Sequence, residues 1–244
     1  ALEYAGGDML YVPVEQMDIL TRYLGGDKKP TLSKIGGRDF DKIKSKVKES
    51  IKKMSFDLKK LYDERNSLTG FKFNLDGELL SVFENAFPFT ETPDQAQAIE
   101  DVKKDMSSGK VMDRLVCGDV GFGKTEVAFR AIFIAIANGK QCALLAPTTI
   151  LCEQHYNSAL ERFKDFGIKI VCLDRFKTAK EQAKAIEQLK SGEAELVVGT
   201  HRLLGKDVAF KDLGLLVLDE EQRFGVEHKE KIKLLKKNVD TLTL

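Results

Sequence analysis

The sequence predicts an α/β fold with a largely parallel, doubly wound sheet, on three observations. From Phe71 onward, short apolar runs alternate with stretches of helical spacing, as in a parallel sheet covered by helices on both faces. One run, Leu115 to Cys117, leads into "GDVGFGKTE", where Gly118, Gly123, Lys124 and Thr125 fit G-x-x-x-x-G-K-[ST] ahead of the helix-like "EVAFRAIFIAIAN". Another, Leu215 to Leu218, is continuously apolar and stops at three adjacent carboxylates, Asp219, Glu220 and Glu221, as a strand buried on both faces does where it leaves the sheet.

Taken in order, residues 1–26 read as short strands and turns, with Gly6 and Gly7 separating "ALEY" from "MLYVPV" and Gly25 and Gly26 closing the segment. That is too short to fold alone, so it is expected to be the remnant of a small β domain. Residues 27–38 look like a linker. From Asp39 the apolar positions Ile43, Val47, Ile51, Met54, Leu58, Leu61 and Leu68 recur at helical spacing and predict a helix of about 30 residues, roughly 45 Å long, ending at Gly70. Twelve Lys or Arg against four Asp or Glu between Lys28 and Lys60 make this linker helix basic. Strands are expected at Leu115 to Cys117, Cys142 to Ala146, Ile168 to Leu173, Leu196 to Val198, Leu215 to Leu218 and Asp240 to Leu244. In "TAKEQAKAIEQLKSG", Thr178 and Glu181 form a capping box and Gly192 supplies the helix stop.

The chemistry concentrates in two places. The loop Gly118, Asp119, Val120, Gly121, Phe122, Gly123 lets backbone N–H groups converge on phosphate oxygens at a helix N-terminus, with Glu126 just inside the helix. Lys124 adds a point charge, and the Thr125 hydroxyl is a Mg²⁺ ligand in such loops. Crowded carboxylates repel one another, so Asp219 is expected to share the magnesium ion of a bound nucleotide. Gln95 in "FPFTETPDQAQAI" has two readings: with Thr92 and Pro93 it completes a capping box, and its amide can pair with adenine while Phe87 or Phe89 stacks on the base. The phosphate loop downstream favours adenine.

Composition bounds the rest. The 244 residues are 43% hydrophobic, and 39 basic against 38 acidic side chains leave a net charge of +1, so contact with nucleic acid would have to be local. No apolar run approaches the ~20 residues needed to span a bilayer. Cys117, Cys142, Cys152 and Cys172 form no C-x-x-C pair and read as reduced core thiols, consistent with a cytoplasmic location and no membrane partner. A start at Ala1 suggests a processed or excised piece.

In order, "TPDQAQAI", "GDVGFGKTE", "APTTILCEQH", "VVGTHRLL" and "LDEEQRFG" resemble the Q, I, Ia, Ib/Ic and II motifs of superfamily 2 helicases and translocases. "GTHRLL" with "DEEQRFG" is similar to the RecG/Mfd branch, and "LYVPVEQMDILTRYLGG" followed by a Lys-rich helix resembles the bacterial transcription-repair coupling factors. The resemblance spans essentially the whole chain. It implies a RecA-like first motor domain at 71–244, with ATP and Mg²⁺ as cofactors, Lys124, Asp219 and Glu220 as catalytic residues, and Thr125 and Asp219 at the metal. It implies double-stranded DNA contacts through Pro147, Thr148, Thr149, Thr200, His201 and Arg202, with Arg175 a weaker candidate. It also implies RNA polymerase, through its β subunit, as the partner of residues 1–26, and nucleotide-excision-repair proteins as partners of parts absent here. The sequence stops before a motif III and carries no second α/β domain, so half a motor is expected: nucleotide binding, slow hydrolysis, no translocation. The other readings are a RecG-type fork-remodelling helicase and a polymerase-binding adaptor module.

Overall fold

The computed structural model describes residues 1–20, 34, 44–49, 51, 52, 55, 56, 68–119, 121–236 and 238–244. Most of the expected linker and of the long basic helix, as well as Val120, lie outside the described residues; residues 44–49, 51, 52, 55 and 56 are helical. The chain divides into two compact units, Ala1–Asp63 and Glu64–Leu244.

In the first unit β1 (Leu2–Glu3) pairs antiparallel with β2 (Met9–Leu10), with Leu2 opposite Leu10. The turn needs Gly6 and Gly7 at φ +100° and +84°, a region that costs other residues strain. Beyond it, the expected further strand structure gives way to a 3₁₀ helix, Val14–Ile19. Pro13 holds φ at −59° and its carbonyl accepts from Gln16 N at 3.0 Å, so the chain coils where Pro has fixed the first turn.

The second unit has one six-stranded sheet: β3 (Asp113–Leu115), β4 (Gln141–Leu145), β5 (Ile170–Leu173), β6 (Leu196–Gly199), β7 (Leu213–Leu218) and β8 (Asp240–Thr243). The order is β3-β8-β7-β4-β6-β5, and every neighbouring pair is parallel. Five of the six expected runs form strands to within two residues at either end. The first is displaced: β3 shares only Leu115 with the expected Leu115 to Cys117, because the last bond to β8 is Val116 N to Thr243 O at 2.8 Å and Cys117 already belongs to the loop. Among the described strands β8 is its one neighbour, and Leu115 stays 63% exposed.

The helices are α1 (Glu78–Asn85), α2 (Pro93–Met106), α3 (Lys124–Ala137), α4 (Thr149–Phe163), α5 (Ala179–Ser191) and α6 (Val226–Lys236). Alternate residues of the strands sort them into two layers. Cys142 and Leu144 of β4 join a core with α1 to α4, whereas Ala143 and Leu145 join another with α5 and Ile232 of α6. In the first core Phe83 stacks on Phe133 at 4.1 Å between ring centroids and on Phe163 at 5.3 Å. Burying each ring contributes about 1.5–3 kcal/mol.

Gln141, buried at the start of β4, ties three segments: its amide donates to the carbonyls of Leu189 and Ala194 and accepts from Lys211 N and Asp212 N. Gln141→Leu keeps the volume and orphans these groups, so urea unfolding should show a loss of about 2–3 kcal/mol; an unchanged midpoint would mean water replaces the amide.

Because all six strands are parallel, the segments after β3, β4, β5, β6 and β7 leave the sheet at one edge, the carboxyl edge, where ligands bind in open α/β sheets.

Candidate active site

The phosphate-loop residues Gly121 and Gly123 have φ of +87° and +69°. Gly123 is the N-cap of α3 without a side-chain cap, so the first N–H groups of the helix are left for a ligand. A Cβ at Gly123 would stand 2.5 Å from Gln95 Nε2. Lys124 Nζ folds back onto the loop, donating to the carbonyls of Gly118 and, at 3.0 Å, Asp119. Its charge therefore already lies among the groups that would surround a phosphate. Thr125 is half-buried in the first turn.

Gln95 does two things at once. Its Oε1 accepts from Thr92 N at 2.9 Å while Thr92 Oγ1 accepts from Gln95 N at 3.3 Å, which completes the expected capping box. Its Nε2 donates to Phe122 O at 2.8 Å, so the amide also braces the phosphate loop. Phe87 meets Phe89 edge-on at 5.6 Å and has the guanidinium groups of Arg130 and Arg162 each 5.6 Å from its centroid. Phe89 and Phe122 are 73% and 63% exposed.

Glu126 is turned into the core. It accepts from Arg130 Nε at 3.0 Å and from Arg162 at 3.0 and 2.8 Å. Arg162 lies over the Phe83 ring at 3.8 Å and donates to Phe83 O, and Arg130 also pairs with Glu91.

At the end of β7 the three carboxylates separate. Asp219 Oδ2 is 2.7 Å from Nε2 of His155, a buried side chain of α4. Glu220 takes the left-handed conformation, φ 47° and ψ 50°, and is the one such non-glycine residue among those described, a strain of about 1 kcal/mol or more. Its Oε2 is buried without a hydrogen-bond partner, although Arg223 Nε lies 2.9 Å away as an ion pair without hydrogen-bond alignment. Glu221 turns away to pair with Lys236 of α6 at 2.9 Å and accepts from Thr243 of β8 at 3.4 Å. Mutual repulsion is thus relieved by sending each carboxylate to a different cation or donor. Only β8 separates β3 from β7, so the phosphate loop and these carboxylates emerge one strand apart. The residues fit a magnesium nucleotide: a hydroxyl at Thr125, an Asp219 carboxylate with one oxygen already hydrogen-bonded, and beside it a Glu220 oxygen that is ion-paired with Arg223 but accepts no hydrogen bond.

The candidate strand contacts are not all at the surface. Thr148 is exposed and caps α4, accepting from Leu151 N at 3.2 Å, with Pro147 and Thr149 half-buried beside it. Arg175 is exposed, its guanidinium 5.2 Å from the Phe176 ring. His201 stacks on His228 at 5.0 Å; burial and then the charges of His228, Arg175 and Lys231 hold its imidazole below the usual histidine value, so it is neutral at pH 7. Thr200 is 1% exposed with its hydroxyl unpartnered, and Arg202 is bound bidentately to Asp207 and by Nε to Gln182. At the carboxyl edge, therefore, the Thr200 side chain is buried and the Arg202 fork is already occupied by Asp207.

Sequence reasoning assigned His155 no part, and its only signal was position in "LCEQH" on the helix after β4. The cysteines are free, with Cys142, Cys152 and Cys172 buried and Cys117 exposed. Cys152 and Cys172 approach to 3.8 Å in a chain that ends on Asp174, whose other oxygen caps the following turn. The hydrogen bond to Cys172 and burial hold Cys152 far above the usual thiol range, so it stays protonated. Among the described residues no helix is long and apolar enough to cross a membrane.

The DEAD/DEAH box helicase family model matches residues 92–243. The chain is 55% identical over its whole length to the "Transcription-repair-coupling factor" of Bacillus subtilis, 54% to that of Staphylococcus epidermidis and 52% to that of Staphylococcus aureus. It spans 21% of the length of each. Among solved structures, RecG bound to a three-way DNA junction superposes with a TM-score of 0.66 at 39% identity, over 75% of this chain and 25% of that one.

Proposed function

Because the chain belongs to the DEAD/DEAH box helicase family, we propose that residues 71–244 are the first motor half of an ATP-dependent double-stranded DNA translocase that acts on stalled RNA polymerase in transcription-coupled repair. One observation carries the nucleotide part: a phosphate loop with its lysine turned inward and a carboxylate-ended strand leave the same sheet edge one strand apart. Lys124 would bind the β- and γ-phosphates, Thr125 and Asp219 would hold Mg²⁺, and Glu220, whose Oε2 is ion-paired with Arg223 but accepts no hydrogen bond, would orient the attacking water and accept its proton. Bound Mg²⁺ supplies charge neutralisation at the phosphates. Gln95, already bonded to Phe122 O, reads adenine by exchanging that bond, with the exposed Phe89 as a stacking surface.

Thr148, Thr149, Arg175 and His201 meet the DNA backbone, and such contacts carry no sequence information, as sliding requires. Residues 1–26 contact RNA polymerase, supported by Tyr11 and Val14 at 78% and Ile19 at 67% exposure; residues 27–70 connect them to the motor. The protein works in the cytoplasm.

The test is binding of a fluorescent ATP analogue with Mg²⁺, competed by ATP or GTP, alongside hydrolysis with and without duplex DNA. ATP should compete at least about tenfold better than GTP, the scale of one good amide-to-base pair. Equal competition by GTP would remove Gln95 from base recognition. Hydrolysis that Glu220→Gln leaves undiminished would remove Glu220 from the attacking water.

A further inference from the structure

The hydrogen bond between His155 and Asp219 joins two parts of the sequence 64 residues apart, at the point where the strand-end carboxylate must face a cation. An ionised carboxylate can only accept, so the proton in this bond belongs to the imidazole Nε2. The bond uses Oδ2 of Asp219 and leaves Oδ1 outside it. The Asp219 backbone is itself fixed, its N–H donating to Leu145 O of β4 at 2.9 Å, which leaves side-chain rotation as the remaining freedom. His155 is buried on α4, a helix held to the core by Cys152, Ala159 and Phe163, so the donor is mounted on a rigid element. On these observations we infer that His155 is a positioning residue that orients Asp219 toward a divalent cation, setting how tightly Mg²⁺ is held beside a bound nucleotide without touching either. The inference rests on the nucleotide-site reading above. It also links two functions on α4, because the helix capped by Thr148 carries, two turns later, the residue that aims the metal ligand.

The experiment uses the whole chain with a fluorescent ATP analogue, measuring binding as Mg²⁺ is varied. His155→Phe keeps a ring in the buried site and removes the donor. It should raise the Mg²⁺ concentration for half-maximal binding about tenfold, the usual scale for removing an outer partner of a metal ligand, while affinity at saturating Mg²⁺ stays within about twofold. His155→Gln carries an amide N–H near the position of Nε2 and should restore most of the Mg²⁺ response; His155→Asn, one bond shorter, should not. A purely structural role would lower the thermal midpoint without separating Gln from Asn, so that equality overturns the inference even if the Phe variant fails to fold. An unchanged Mg²⁺ response in a folded His155→Phe overturns it as well. Binding that survives Lys124→Ala would instead strike the nucleotide site itself.

Discussion

Lys124→Ala should weaken binding of a fluorescent ATP analogue about 10- to 100-fold, since a charge-assisted bond to phosphate contributes about 1.5–3 kcal/mol. The effect is moderated by the free state. Lys124 Nζ already bonds the carbonyls of Gly118 and Asp119, so nucleotide replaces two acceptors rather than drawing an amine out of bulk water. Those same bonds hold the loop, yet the loop is exposed, and removing them should move the thermal midpoint by less than about 2 °C. Fluorescence titration with a parallel melt reads both quantities. Wild-type affinity in the variant would mean that the loop does not bind phosphate through this side chain.

The second large effect is on folding. Glu126→Ala leaves Arg130 and Arg162, both nearly buried, facing each other across an empty site, since the one carboxylate serves both guanidinium groups. Removing one partner of a buried ion pair costs about 3–5 kcal/mol, which for a domain of this size lowers the thermal midpoint by about 10 °C. Glu91 still pairs with Arg130, which limits the loss on that side; Arg162 keeps only Phe83 O and the Phe83 ring. Nucleotide affinity of the folded variant, measured well below its melting range, should be close to wild type. A stable variant that binds nucleotide poorly would move Glu126 from the core to the phosphate site.

What could be read from sequence follows from the range of the interactions. Both capping boxes, Thr92 with Gln95 and Thr178 with Glu181, formed as expected because their partners lie three residues apart. Strands β4 to β7 were legible because each is a short, mainly apolar run that is largely buried, whereas β3 is half exposed and was expected two residues too late. The carboxylates were legible as a group and not as individuals. Glu221 had no visible task, since Lys236 and Thr243 reach it only after α6 and β8 fold back. His155 was missed for the same reason. Thr200 and Arg202 were expected as DNA contacts from the motif resemblance alone; the burial of one and the bidentate Asp207 bond of the other depend on how the segment after β6 folds. The 3₁₀ turn after Pro13 was missed although Val14 and Met17 stand three apart, because the segment is short and follows the strand-like apolar run "MLYVPV".

The strand order also bears on how the domain assembles. The strand that delivers the phosphate loop, β3, has β8 as its one neighbour, and Met112 N bonds the Asp240 carboxylate across 128 residues. The edge therefore cannot close until nearly everything between has been made and collapsed, and the loop-closure entropy of that long connection must be met before the pairing returns any stability. During synthesis β4, β5, β6 and β7 can form a sheet among themselves, with β7 as a temporary open border. Phosphate-binding competence is accordingly the last property this domain acquires, and a nascent chain halted before Asp240 should hold the glycine-rich loop without a strand to anchor it.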